Sequence, residues 1–67
     1  MSKVTYAGFK IKGISDGTLY RARVERGDNA PLRVNGQTTQ VWETSQSMDE
    51  QTAIGQAIYL IDTGRIK

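Results

Sequence analysis

Lys10 and Lys12 stand two residues apart, and Arg21 and Arg23 repeat that spacing a short distance further on. Successive side chains of an extended chain point to opposite faces, so each pair projects from one face of its strand. Such a set of ammonium and guanidinium groups can hold the phosphates of a nucleic acid or the carboxylates of an acidic protein, and Arg33 adds a further cation. Bond-making chemistry has much less to work with. The chain has no histidine and no cysteine, which removes the commonest general base, the thiolate nucleophile and the usual nitrogen and sulfur metal ligands. Asp16, Asp28, Glu43, Asp49 and Glu50 form no spaced pair beside an apolar stretch that would raise one carboxyl pKa. Gly13 and Gly17 bracket a turn instead of opening a helix, so they do not make a phosphate loop. These residues predict a binding protein with no catalytic group, no metal and no cofactor.

The elements that must carry the cations read as a small α+β domain. Phe9 and Ile11 alternate against Lys10 and Lys12 in a strand over about 6–14, and Tyr20, Ala22 and Val24 alternate against Arg21 and Arg23 in a second over about 19–26. Asp16-Gly17 between them is a hairpin dipeptide that tolerates positive φ. Gly27-Asp28-Asn29-Ala30-Pro31 ends the second strand. Thr38, Thr39, Val41 and Trp42 favour a third strand over about 38–44, and Asn35-Gly36 leaves room for a short extra hairpin arm. Ser47 and Glu50 fit a capping box, after which Ala53, Ile54, Ala57, Ile58, Leu60 and Ile61 recur at helical spacing until Gly64. The expectation is a three-stranded antiparallel meander packed on one C-terminal helix over about 48–63, in the order β-β-β-α, within a single domain spanning 1–67. Its core should bring Phe9, Ile11, Tyr20, Ala22, Val24 and Trp42 against Ile54, Ala57, Ile58 and Ile61. Gly55 costs about 1 kcal/mol relative to alanine inside a helix, which predicts a locally weak helix or a close neighbour there. Tyr59, at the edge of the apolar stripe, is a candidate contact residue.

The hairpin register decides what the cations meet. With Asp16 and Gly17 as the two loop residues, Lys12 faces Arg21 and Lys10 faces Arg23 on the side away from the helix. Ile11 then faces Ala22, and Phe9 faces Val24, on the inner side. Like charges directly opposite cost about 0.2–1 kcal/mol each, a cost that a bound anion would relieve. The third strand can also bring Glu43 beside Arg21 or Arg23 and neutralise part of the face. Arg26-Gly27-Asp28 spells an integrin-recognition tripeptide, but glycine and aspartate are ordinary turn residues and the tripeptide is read here as a turn.

Composition limits the remaining classes. A chain of 67 residues buries only about 60% of its unfolded surface, so its core is small. Nine basic and seven acidic side chains give a net charge of +2, with the cations concentrated in the first half. Without disulfides or metal to staple the core, stability must come from packing or from self-association, for which a homodimer is the simplest form. The absence of cysteine and of any apolar run of signal-peptide or membrane-spanning length leads to the expectation of a cytoplasmic protein with no membrane partner.

The order of elements over Tyr6 to Gly64, three strands and then an amphipathic helix, resembles the small DNA-binding domains of phage integrase arms and plant AP2-type factors, in which the sheet does the reading. It also resembles some small phage-encoded inhibitors, including certain anti-CRISPR proteins. The first resemblance implies nucleic-acid binding, to DNA in preference to RNA, by a phage or mobile-element accessory factor. Lys10, Lys12, Arg21, Arg23 and Arg33 are the candidate contacts from the residues themselves. The second implies an inhibitor or assembly module that engages an acidic host protein.

Overall fold

The computed structural model describes residues 3–67, so residues 1 and 2 of the expected 1–67 domain lie outside the described residues. Strands β1 (Lys3–Tyr6), β2 (Phe9–Asp16), β3 (Leu19–Arg26), β4 (Leu32–Val34), β5 (Gln37–Thr39) and β6 (Trp42–Glu43) precede one helix, α1 (Glu50–Asp62). The architecture is α+β, with an antiparallel sheet and a C-terminal helix as the patterning predicts. The main sheet has four strands in the order β1-β2-β3-β6, and β4-β5 form a separate two-stranded ribbon.

Two differences in strand count have local causes. The expected strand over 6–14 begins instead at Phe9, because Ala7 and Gly8 take positive φ values of 50° and 84° and fold β1 back as an extra edge strand. Alanine is an unusual occupant of that turn, since the left-handed conformation costs an L-residue about 1–2 kcal/mol. The expected strand over 38–44 is divided between the two sheets. Thr39 Oγ1 donates to the Val41 carbonyl at 2.8 Å and holds a bend, so Thr38 pairs with Arg33 in the ribbon while Trp42 pairs with Val24 in the main sheet. Asn35 and Gly36, at φ 52° and 82°, supply the turn of the extra arm.

The β2–β3 hairpin is shifted by two residues from the expected register. Gly17, at φ 68°, is the first central residue of the turn, and Asp16 remains in the strand opposite Leu19. Glycine is favoured at that first position in type II′ hairpin turns. The shift brings Ile11 opposite Val24 and Gly13 opposite Ala22, but an even shift leaves every side chain on its expected face.

Helix α1 covers the inner face of β2 and β3. Phe9, Ile11, Ala22, Val24, Ile54, Ala57 and Ile61 are buried there, while Tyr20, Trp42 and Ile58 are half-buried at the margin. Ala53, already on the apolar stripe of the helix, is buried as well, and Leu32, Val34 and Ile66 complete the core and were not anticipated. Ile66 arrives because Gly64, at φ 76°, turns the chain after the helix, and Arg65 N–H donates to the Leu60 carbonyl at 2.9 Å. The tail then runs antiparallel to β4, pairing Ile66 with Val34. No helix among the described residues is long and apolar enough to cross a membrane.

The helix start also differs from expectation. Asp49, not Ser47, is the N-cap, accepting from Thr52 N–H at 2.8 Å, and the helix runs 50–62 instead of 48–63. Ser47 is committed elsewhere, exchanging backbone hydrogen bonds of 2.9 and 2.8 Å with Tyr20, and its buried Oγ has no hydrogen-bond partner among the described residues. The segment from Trp42 to Ser47 thereby covers the outer edge of β3. Thr44 takes part through its side chain, Oγ1 accepting from Ala22 N–H at 3.0 Å.

Candidate nucleic-acid interface

Lys10, Lys12, Arg21 and Arg23 all lie on the outer face of the sheet, but not in the expected pairs. Lys12 faces Arg23, Lys10 faces Glu25, and Arg21 faces Ile14. The two arginines are the more engaged. Arg21 Nε donates to Asp16 Oδ2 at 2.8 Å, a contact made available because the register leaves Asp16 on the same face. Arg21 also donates to the Thr44 carbonyl at 3.3 Å. Arg23 donates to Glu43 through Nε at 3.2 Å and Nη2 at 2.9 Å, as the third-strand argument anticipated. Both bonds reach the same oxygen, Oε2, and so lack the two-oxygen fork of the strongest arginine–carboxylate pairs.

The lysines carry the unneutralised charge. Among the described cations only Arg21, Arg23 and Arg26 form ion pairs, leaving Lys3, Lys10, Lys12, Arg33, Arg65 and Lys67 without a carboxylate partner. Strand β1 adds a residue that the sequence reading did not place in the site, since Lys3 pairs with Lys12 and Thr5 with Lys10. Lys3, Lys12 and Arg23 therefore stand side by side on three adjacent strands, with Glu43 beyond Arg23 closing the row. An open depression of about 440 Å³ lies over this part of the face, lined by Lys3, Thr5, Lys10, Lys12, Arg23 and Glu25 together with the backbone neighbours Val4 and Ile11. The signal available for Lys3 was the alternation of Lys3 and Thr5 against Val4 and Tyr6, with Gly8 alone to mark the turn that follows.

Arg33 is exposed but belongs to a different surface. It sits on β4, which is in the ribbon and outside the main sheet, and its neighbours are Arg65 and Lys67 of the tail. The structure thus brings Lys10, Lys12 and Arg23 together, leaves Arg21 at the turn end of the same face, and removes Arg33 from it.

The aspartates are occupied structurally. The Arg21 hydrogen bond, reinforced by Gln46 Nε2 at 2.7 Å, holds the Asp16 carboxyl below its ordinary range. Arg26 does the same for Asp28 inside the Arg26-Gly27-Asp28 turn, helped by Ala30 N–H. The Thr52 backbone lowers Asp49 at the helix start. Asp62 accepts from Tyr6 OH at 2.6 Å, which pushes the phenol upward.

On the helix side, Met48 and Tyr59 are exposed at 82% and 59%, well outside the core. Gly55 is exposed as well, and beyond its chain neighbours and the adjoining helix backbone a methyl group there would meet no described residue within 4 Å, so no close neighbour among the described residues explains the glycine.

Fold and surface together define a small α+β protein, with one sheet face covered by its helix and the other carrying cations in excess. Compared with protein-family models, with curated proteins and with solved structures, the chain gives no significant match.

Proposed function

We propose that this chain is a non-enzymatic nucleic-acid-binding protein that engages the phosphate backbone through the outer face of its sheet. The observation that carries the reading is the row of Lys3, Lys12 and Arg23, three cations on neighbouring strands balanced within the row only by Glu43. Cross-strand like charges are unfavourable, and a line of phosphates turns that repulsion into attraction. Strands spaced about 4.8 Å apart put roughly 10 Å between the first and last of these cations. That span is close to the ~12 Å width of the DNA major groove, where lysines neutralise phosphates and an arginine can read guanine. Lys10 lies in the same depression and extends the contact.

The test is binding to a mixed-sequence duplex, measured by fluorescence anisotropy across salt concentrations. Phosphate contacts from Lys3, Lys10 and Lys12, at a slope of about −0.9 each while Arg23 stays engaged by Glu43, predict roughly 40-fold weaker binding on going from ~50 to ~200 mM salt, and replacing these three lysines with glutamine should remove most of that dependence. Absence of binding at ~50 mM salt rejects the proposal. A second reading, a module that docks on another protein through its helix side, is favoured by the exposure of Met48 and Tyr59.

A further inference from the structure

We propose that Arg33, Arg65 and Lys67 form a second anion site, separate from the sheet face, that takes a phosphate group. The chain after the helix is laid against β4, and Arg33 and Lys67 exchange both backbone hydrogen bonds, each 2.9 Å long. They are therefore directly opposite one another, with their side chains on the same side of the pairing. Asn35 N–H donates to the Arg65 carbonyl at 3.4 Å, which places Arg65 one step along that same side. The intervening residues Val34 and Ile66 are buried at 6% and 2% exposure, so the face carrying the three cations points away from the core.

These cations surround a depression of about 410 Å³ whose lining, Arg33, Asn35, Gly36, Gly64, Arg65 and Lys67, contains no acidic side chain. None of the three forms an ion pair with a described residue. On the sheet face, by contrast, Glu25 and Glu43 stand among the cations. Gly36 and Gly64 hold positive φ values of 82° and 76° at the two turns beside the depression, and the missing side chains leave backbone open to an approaching anion. Two guanidinium groups and an ammonium match the oxygens of a tetrahedral phosphate, with planar forks that can each grip two oxygens. Opposed like charges hold the site in an unfavourable state until an anion arrives. No residue is shared with the lining of the sheet-face depression, so this inference does not depend on the function proposed above.

The test is a two-dimensional NMR titration of the full chain with inorganic phosphate, against sodium chloride at matched ionic strength. Phosphate should shift the Arg33 and Arg65 Nε–H signals and the Asn35 and Gly36 amides, saturating with a dissociation constant on the order of 1 mM or tighter. The double substitution Arg33→Gln, Arg65→Gln should abolish saturation, while Lys10→Gln, Lys12→Gln should leave it intact. Shifts reproduced by chloride, or spread equally over Lys3, Lys10 and Lys12, would overturn the site, as would saturation that survives the double substitution. Adding a duplex oligonucleotide then distinguishes the sources of the group. Displacement of inorganic phosphate from these residues identifies a nucleic-acid backbone, and undisturbed phosphate signals identify a small phosphate-bearing ligand. The wild-type comparison of phosphate with chloride needs no variant and stands whatever the substitutions do to folding.

Discussion

Replacing Glu43 with glutamine should strengthen nucleic-acid binding, an outcome opposite to that of most surface substitutions. Glu43 is the carboxylate that engages Arg23, at 2.9 Å, at the end of the cationic row. The Arg23 and Glu43 side chains are 43% and 36% exposed respectively, so their attraction is heavily screened and removing it should cost at most about 1 kcal/mol of stability. Glutamine keeps the shape and an acceptor oxygen while releasing the guanidinium. If Arg23 then becomes one additional phosphate contact, the salt slope steepens by about 0.9, a gain of about fourfold in affinity at ~0.2 M salt and about fifteenfold at ~0.05 M. Anisotropy titrations of wild type and Glu43→Gln against one labelled duplex at both salt concentrations measure this directly. Asp28→Asn supplies the control, because it makes the same change in net charge while its partner Arg26 stacks over Phe9 at the inner face, 5.8 Å from the ring centroid. Unchanged or weaker binding by folded Glu43→Gln would refute the placement of Arg23 in the interface. An equal gain from Asp28→Asn would refute it too, since the effect would then belong to overall charge.

Three stability predictions follow from local geometry. Gly55→Ala adds a methyl group where, beyond its chain neighbours and the adjoining helix backbone, no described residue lies within 4 Å, so it should stabilise the protein by about 1 kcal/mol and raise the melting temperature by roughly 4–8 °C in a calorimetric scan. Asp49→Ala should cost about 1 kcal/mol in urea unfolding through loss of the N-cap, whereas Ser47→Ala should be neutral or stabilising because it removes a buried hydroxyl that has no partner among the described residues. Equal losses from the two would restore Ser47 as the cap. Asp16, Asp28 and Asp49 are all held below the ordinary carboxyl range by hydrogen bonds made only in the fold. The stability they contribute is fully present above the unfolded pKa, near 4, and is lost as pH falls through their lower folded values. Urea midpoints should accordingly be flat with respect to these groups between about pH 5 and 8 and should decline below about pH 4, less steeply in Asp16→Asn.

The alternation of Phe9 and Ile11 against Lys10 and Lys12, and of Ala22 and Val24 against Arg21 and Arg23, was enough to assign the two faces of the hairpin. Parity is unaffected by a two-residue slip, so the choice of Gly17 as first turn residue changed the partners without exchanging the faces. The partners, however, decide which cations are available. Asp16 lies five residues from Arg21 and Glu43 twenty from Arg23, and only the completed register and the arrival of β6 bring each carboxylate to its arginine. The pattern therefore showed a basic face but could not separate its engaged arginines from its unpaired lysines. Lys3 was hidden for another reason, because its strand is created by a turn through Ala7, a residue whose type does not announce positive φ. Leu32, Val34 and Ile66 lie in segments too short to display a period, and their burial depends on a ribbon docking against a tail remote from it in sequence.

That same docking is what gathers Arg33, Arg65 and Lys67. Arg33 looked like an outlying member of the sheet-face set only because its neighbours are supplied by the far end of the chain. Local sequence fixes which way a side chain points, whereas long-range pairing fixes which charges stand beside it, and an anion responds to the second. The two basic surfaces of this protein are accordingly products of tertiary structure. Substitutions that disturb the Val34–Ile66 pairing should disperse the second cation cluster and leave the Lys3–Lys12–Arg23 row in place, because that row is assembled entirely by β1, β2 and β3.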